Sequence, residues 1–228
     1  MSDLIMNTPA GITLVGGGPV TRADLDIALA VAPVIVAADS GADWLLKQDV
    51  MPEAVIGDMD SLSSHSRRRI PAGRLHEFSE QLTTDFDKAL NHLKARFILG
   101  LGFIGGRTDH GLSVLNTLVQ QAGRPCLLLG PEDVIFAAPP RPVTLSLPPG
   151  ERLSLFPLNV VRGRSKGLEW PIEGIDFSPG GRIGTSNRVI AENVTLCFDQ
   201  VGMLVILPRE RLRAAMAGFG LDWQPVRR

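Results

Sequence analysis

Asp58 and Asp60 flank Met59 in Gly57-Asp58-Met59-Asp60-Ser61 and follow the apolar run Ala54-Val55-Ile56, so they fall where a strand gives way to its loop. Two carboxylates one residue apart repel each other unless a cation or a strong donor set lies between them. A hard divalent ion such as Mg²⁺ suits the pair, since it takes oxygen ligands and is held by one or two carboxylates together with substrate phosphates. A polar turn uses the same residue types, so this stretch alone leaves both readings open. Its companion is Thr84-Asp85-Phe86-Asp87. Thr84 reads as a helix N-cap with Asp87 three residues on, and Asp85 falls in the first turn, where the macrodipole favours an acid with or without a ligand.

Three further junctions carry chemistry. The run Ile12-Thr13-Leu14-Val15 stops at Gly16-Gly17-Gly18-Pro19, ahead of a helix predicted over Arg22 to Val31. These glycines let backbone N–H groups approach a phosphate, but the loop lacks both the later glycine of a dinucleotide fingerprint and the Lys-Ser/Thr of a P-loop. A tight turn is the alternative. Val34-Ile35-Val36-Ala37-Ala38 reads as a buried parallel strand ending at Asp39-Ser40-Gly41, and Asp39 is open to a helix-capping or a ligand role. Phe97-Ile98-Leu99-Gly100-Leu101 leads to Gly105-Gly106-Arg107-Thr108-Asp109-His110, before a helix through Leu112, Leu115, Leu118 and Val119. Arg107 offers a planar fork for phosphate oxygens, and Asp109 either holds Arg107 in place or faces a metal.

Turn and capping roles explain Asp39, Asp58, Asp60, Asp85 and Asp109 one at a time. They explain the set less well, because a parallel sheet would gather all five along the edge where its strands end. Acids, glycine turns and one arginine at such an edge suit Mg²⁺-nucleotide chemistry, in which positioning and charge neutralisation supply most of the catalysis.

The elements that must position these groups follow an α/β pattern up to about residue 139. Cys126–Leu129 and Val134–Ala137 are read as the last strands of that region, and Pro139-Pro140-Arg141-Pro142 as its boundary. The expected domains are therefore 1–139, a mostly parallel Rossmann-like α/β domain, and 140–228, an antiparallel β-sandwich. Short runs at Val143–Leu147, Leu153–Phe156, Ile183–Thr185, Val194–Phe198 and Leu204–Leu207 supply the sandwich, and a helix is predicted over Glu210 to Ala217. Arg67-Arg68-Arg69 reads as a solvated helix face. With 44% hydrophobic and 21% charged residues among 228, the chain has the balance of a packed globular protein. A net charge of −1 argues against a dominant electrostatic grip on nucleic acid or membrane. Cys126 and Cys197 lie in apolar runs as reduced core residues, and with no leader or spanning segment read in the chain, a cytoplasmic location is expected.

Taken in order, Ala38-Asp39-Ser40-Gly41-Ala42, Gly57-Asp58-Met59-Asp60-Ser61, Thr84-Asp85-Phe86-Asp87-Lys88-Ala89-Leu90 and Gly105-Gly106-Arg107-Thr108-Asp109-His110 resemble the motifs of the thiamine pyrophosphokinase family. Gly167-Leu168-Glu169-Trp170 and Thr185-Ser186-Asn187 resemble motifs of that family's β-domain. The resemblance implies ATP and thiamine as substrates, thiamine diphosphate and AMP as products, and a homodimer with substrate held between subunits. It implies that Asp58, Asp60 and Asp85 hold Mg²⁺ and the ATP phosphates. Asp39, Ser40, Gly41, Gly105, Gly106, Arg107, Thr108 and Asp109 would join Gly16 and Gly17 in the nucleotide cradle. Trp170 would stack on thiamine, with Gln81, Ser165, Ser186 and Asn187 near it. An indole face suits that ligand, a cationic thiazolium joined to a flat pyrimidine. Metal ligation and acceptance of the hydroxyl proton are both open to Asp58 and Asp85.

Leu82 stands where many bacterial relatives carry an acid, and Ser40 stands where a second glycine is common; Ser40 fits if its φ is negative. Two rival readings remain. Asp-x-Asp pairs also hold metal and nucleotide-sugar in glycosyltransferases, and the same sheet could serve a nucleotide-sensing module without catalysis.

Overall fold

The computed structural model describes residues 4–80 and 82–223. It forms two compact units, which divide between Thr117 and Leu118.

The first unit contains β1 (Met6–Asn7), β2 (Ile12–Val15), α1 (Arg22–Leu29), β3 (Val34–Ala38), α2 (Gly41–Lys47), β4 (Ala54–Gly57), α3 (Ser64–Arg69), β5 (Leu75–Glu77), α4 (Asp85–His92), β6 (Leu93–Lys94), β7 (Ile98–Leu101) and α5 (Thr108–Gln120), the chain leaving the unit after Thr117. Its main sheet runs β7-β2-β3-β4-β5. All four pairings are parallel, with Ile12 beside both Val34 and Ile98. Every residue of β2, β4 and β7 is buried, as strands covered on both faces must be, which explains their unbroken apolar runs. The chain steps outward from β2 to β5 and returns to place β7 on the other side of β2. The topological switch point therefore lies between β2 and β7, beside the loops that begin at Gly16 and Gly102.

Helix ends follow their sequence signals. Thr21 with Asp24, and Thr84 with Asp87, each form a reciprocal capping box at the start of α1 and α4. The apolar spacing from Phe86 extends past α4 to Leu93 and Phe97, yet the helix stops at His92 because Leu93–Lys94 leaves to pair with β1. In α5 the buried stripe runs through Val114, Leu118 and Val119, whereas Leu112 is exposed.

The second unit contains β8 (Cys126–Leu129), β9 (Asp133–Ala137), β10 (Val143–Ser146), β11 (Arg152–Pro157), β12 (Gly163–Lys166), β13 (Gly184–Arg188), β14 (Asn193–Phe198), β15 (Met203–Pro208) and α6 (Leu212–Gly218). Two antiparallel sheets, β13-β11-β15-β9-β8 and β10-β14-β12, make the expected sandwich. The break between units differs from the expected 139/140 boundary. β9 bonds along its length to β15, from Leu204↔Ala137 to Pro208↔Asp133, so β8 and β9 are bound into the antiparallel unit by strands far ahead in sequence. Apolar runs fully buried on both faces do not disclose the direction of their neighbours. Gly163–Lys166 carries Arg164 and Lys166 and no apolar run, and it forms an edge strand that periodicity did not reveal. Cys126 is buried and Cys197 half-buried, both as free thiols. Burial pushes the Cys126 thiol up to about 12.

Candidate active site

At the C-terminal ends of β2, β3, β4 and β7 lies a cavity of about 980 Å³, lined by Gly16, Gly17, Asp39, Ser40, Asp58, Asp60, Asp85, Lys88, Gly106, Arg107 and Asp109, among others. The sheet's own register brings these loops together, since the strands end side by side. Carboxylate oxygens of Asp39, Asp58 and Asp60 all lie within 4.8 Å of one another. Asp85, expected beside Asp58 and Asp60, lines the same cavity with its carboxylate 3.7 Å from the Lys88 ammonium, and Asp39 is the third member of the close group.

Asp39 directly follows β3 with φ 43°, and Met59 between the paired acids has φ 64°. Both are left-handed, a conformation that non-glycine residues adopt at a cost in backbone strain. Asp39 does not cap α2. Ser40 occupies the cap position with φ −61°, the negative value its side chain requires, and makes no side-chain capping bond. Gly41 follows because a Cβ there would lie 2.1 Å from the Val15 carbonyl oxygen. Gly57 leaves room in the same way: a Cβ on it would lie 3.1 Å from Asp85 Oδ1 and 3.0 Å from the Asp39 Cβ.

Asp39 is 5% exposed, and its Oδ1 is buried with no hydrogen-bond partner. Burial first, and then the negative charge of Asp85, push its pKa up to about 6; Asp60 and Asp58 add to the rise and the Ser61 hydroxyl opposes it. Asp85 is raised as well, by burial, against the pull of Lys88. Asp60 accepts a hydrogen bond from Ser61 Oγ at 2.9 Å, and its backbone N–H donates to Asp58 Oδ1 at 3.3 Å. An orphaned buried oxygen amid mutually repelling carboxylates is a donor set short of positive charge, and three carboxylates at this spacing fit a hard divalent cation.

Lys88 is the residue whose place in the site the motifs did not single out. Its side chain is 3% exposed, with Nζ 3.7 Å from Asp85 Oδ1 and 3.9 Å from Asp58 Oδ2. The i,i+3 spacing of Asp85 and Lys88 on one helix was the available signal.

Arg107 and Asp109 form a bidentate ion pair with a 2.6 Å contact, 70% and 65% exposed, at the cavity rim. Arg107 holds the Asp109 carboxyl down at about 2, chiefly through that hydrogen bond. Of the two roles open to Asp109, the structure displays the hold on Arg107. Gly41, Gly105 and Thr108 are not among the residues lining the cavity. Gly41 packs under β2, Gly105 turns the chain with φ 88°, and Thr108 begins α5.

In the second unit Trp170 is 55% exposed. The Arg188 guanidinium stands 5.9 Å from its ring centroid and is paired with Glu169. Ser165 Oγ accepts from Ile172 N at 3.3 Å, and Ser186, with φ 60°, donates its N–H to Ser154 Oγ at 2.9 Å. Ser154 alone stands opposite Thr185 and Ser186, so β13 bulges there against β11. Gln81 lies outside the described residues.

A parallel α/β unit with an acidic cavity at its switch point, followed by an antiparallel sandwich carrying an exposed indole, defines a two-part α/β and β-sandwich protein. Family models match both parts: thiamin pyrophosphokinase, catalytic domain, over residues 25–128, and thiamin pyrophosphokinase, vitamin B1 binding domain, over residues 143–201. Thiamine pyrophosphokinase from Bacillus subtilis (strain 168) is 26% identical over 208 residues, covering 86% of this chain and 97% of its own. Thiamine pyrophosphokinase 1 of Oryza sativa subsp. japonica is 28% identical over 167 residues, and the alignment spans 65% of this chain and 63% of the rice protein. Among solved structures, thiamin pyrophosphokinase from Candida albicans superposes with a TM-score of 0.74 at 18% identity, covering 91% of this chain and 95% of its own. The Geobacillus thermodenitrificans protein gives 0.69 at 25%, covering 87% and 96%. The chain belongs to the thiamine pyrophosphokinase family. The proline-rich segment 139–142 falls in the gap between the two model matches.

Proposed function

We propose that the chain transfers the diphosphoryl group of ATP to the hydroxyl of thiamine, giving thiamine diphosphate and AMP, with Mg²⁺ as the cation. The observation that carries this reading is the gathering of Asp39, Asp58 and Asp60 oxygens within 4.8 Å, one of them buried and unpartnered, in a cavity at the sheet's switch point. Asp39, Asp58 and Asp60 are the residues that would hold Mg²⁺, which when bound offsets charge on the phosphate oxygens.

The remaining roles belong to the chain's own groups. Gly16, Gly17 and Gly106 let backbone approach the nucleotide phosphates, and Arg107 reaches them from the rim. The thiamine oxygen attacks the β-phosphorus in line; its new O–P bond forms as the bond from that phosphorus to the AMP oxygen breaks. Asp85, with a carboxyl raised by burial, is assigned the hydroxyl proton. Lys88 holds Asp85 and Asp58 in place.

The 140–228 region is read as the thiamine-binding part, with Trp170 as the stacking surface and Ser165, Ser186 and Gln81 nearby. Homodimerisation and a cytoplasmic location belong to the same reading; free cysteines support the latter, and among the described residues no helix is long and apolar enough to cross a membrane.

Incubation of the purified protein with Mg-ATP and thiamine tests the reading. Matched formation of AMP and thiamine diphosphate is expected, and Asp58→Asn should remove both while leaving the fold intact. ATP binding without either product would favour a sensing module instead.

A further inference from the structure

We propose that Asn187 is a positioning residue for Trp170: its carboxamide closes on the Trp170 backbone and sets the indole, and it does not meet the ligand itself. The inference rests on reading Trp170 as the platform for thiamine.

Trp170 lies outside the described strands, so its backbone has no ladder partner along a strand. Asn187 supplies one. Its Nδ2 donates to Trp170 O at 2.7 Å and its Oδ1 accepts from Trp170 N at 3.3 Å, so one side-chain amide takes both backbone groups of one residue. The same Oδ1 accepts from Arg188 N at 2.8 Å. Three of the four bonds an Asn amide can make are thereby used, and the residue is 7% exposed. Little of it is left for a ligand.

Neighbouring bonds extend this contact. Glu169 N donates to Arg188 O at 2.9 Å and Ile190 N to Gly167 O at 2.9 Å, with a bridge between Leu168 and Val189. Asn187 is held in turn by its register opposite Leu153, next to the bulge at Ser186. Arg188, one residue on, stands over the indole and pairs with Glu169. Strand β13 thus fixes Trp170 twice, at the backbone by Asn187 and at the ring by Arg188. A planar cation needs such a surface ready-made, because a ring that must first be ordered loses part of the stacking gain to conformational entropy.

The test uses the full chain with Trp44→Phe and Trp223→Phe, which leaves Trp170 as the sole indole of the three. Asn187→Ala in that background should red-shift the Trp170 emission and increase its quenching by acrylamide. It should also raise the thiamine KM about tenfold, the loss of about 1.4 kcal/mol, with the ATP KM and the turnover at saturating thiamine kept within about twofold. Asn187→Asp keeps the Oδ1 acceptor and loses the Nδ2 donor, so it should move both readouts in the same direction by less. It also carries the test if the alanine variant does not fold. A raised thiamine KM with unchanged emission would overturn the proposal in favour of direct ligand contact, and no change in either readout would overturn it outright. Quenching of unsubstituted Trp170 by thiamine tests the ligand reading separately. Without that quenching the thiamine platform falls, and Asn187 is still judged by the emission shift.

Discussion

Thr117 Oγ1 donates to Asp87 Oδ1 at 2.6 Å, tying the body of α5 to the first turn of α4. The other oxygen of Asp87 is taken by Thr84 through its hydroxyl at 2.6 Å and its N–H at 3.2 Å. One carboxylate therefore locks the turn carrying Asp85 and Lys88 to the helix that begins beside Arg107. Thr117 is 2% exposed, and Thr117→Val keeps its shape while leaving a charged oxygen one bond short. A stability loss of about 1–3 kcal/mol is expected, read from urea unfolding, together with a weaker grip on ATP.

Lys88→Met tests the buried ammonium. Removing it leaves Asp58 and Asp85, 16% and 34% exposed, without the ammonium beside them, a loss that water reaching both carboxylates keeps below the cost of breaking a fully buried pair. The metal-free variant should melt well below the parent, Mg²⁺ should recover part of the difference, and turnover should fall at least about tenfold. An unchanged melting temperature would mean that the lysine is dispensable to the acids.

Asp39 sets a pH dependence of definite sign. Its folded pKa of about 6 stands above the ordinary carboxylate value of 3.8, so between these values the folded chain binds more protons than the unfolded chain. The destabilising share of Asp39 is fully present above about pH 6 and is relieved as pH falls toward 4. Metal-free protein should therefore gain melting temperature from this site between pH 7 and pH 5, while a bound divalent cation should flatten the trend. Differential scanning fluorimetry with EDTA and with Mg²⁺ reads both arms.

Gly41→Ala should be poorly tolerated, because its methyl would meet the Val15 carbonyl oxygen at 2.1 Å and backbone must move on one side or the other. Soluble yield and melting temperature should both fall. The same Cβ would stand 3.1 Å from the carbonyl carbon of Gly16, which lines the cavity, so activity should fall together with stability, and an unchanged melting temperature would contradict a packing role.

The parallel sheet and its acids were legible in the sequence because strand ends, glycines and carboxylates coincide at each junction. Buried runs such as Ala54–Gly57 have one reading once helices alternate with them. Thr84 and Asp87 announced the start of α4 through capping chemistry, which is local. Non-local facts were not legible. The same capping box gave no sign that Thr117 shares Asp87, and β8 and β9 resemble parallel strands until β15 pairs with β9. That Asp39 oxygens come within 4.8 Å of those of Asp58 and Asp60 was not legible either, because side-chain reach across a sheet edge is not written in spacing. The departure at Leu82 proves harmless to packing: it is 95% exposed, and Glu80 accepts from Leu82 N at 2.9 Å and from Thr83 N at 3.2 Å.

The strand order β7-β2-β3-β4-β5 also dictates a sequence of events during synthesis. The ribosome releases β2 first, and the chain can lay β3, β4 and β5 beside it one after another, yet the other edge of β2 stays bare until Ile98–Leu101 emerges. Asp39, Asp58, Asp60 and Asp85 are all out before that strand closes the second wall of their cavity. The nascent chain thus carries an unfinished hydrophobic edge and a finished set of charges together until β7 arrives.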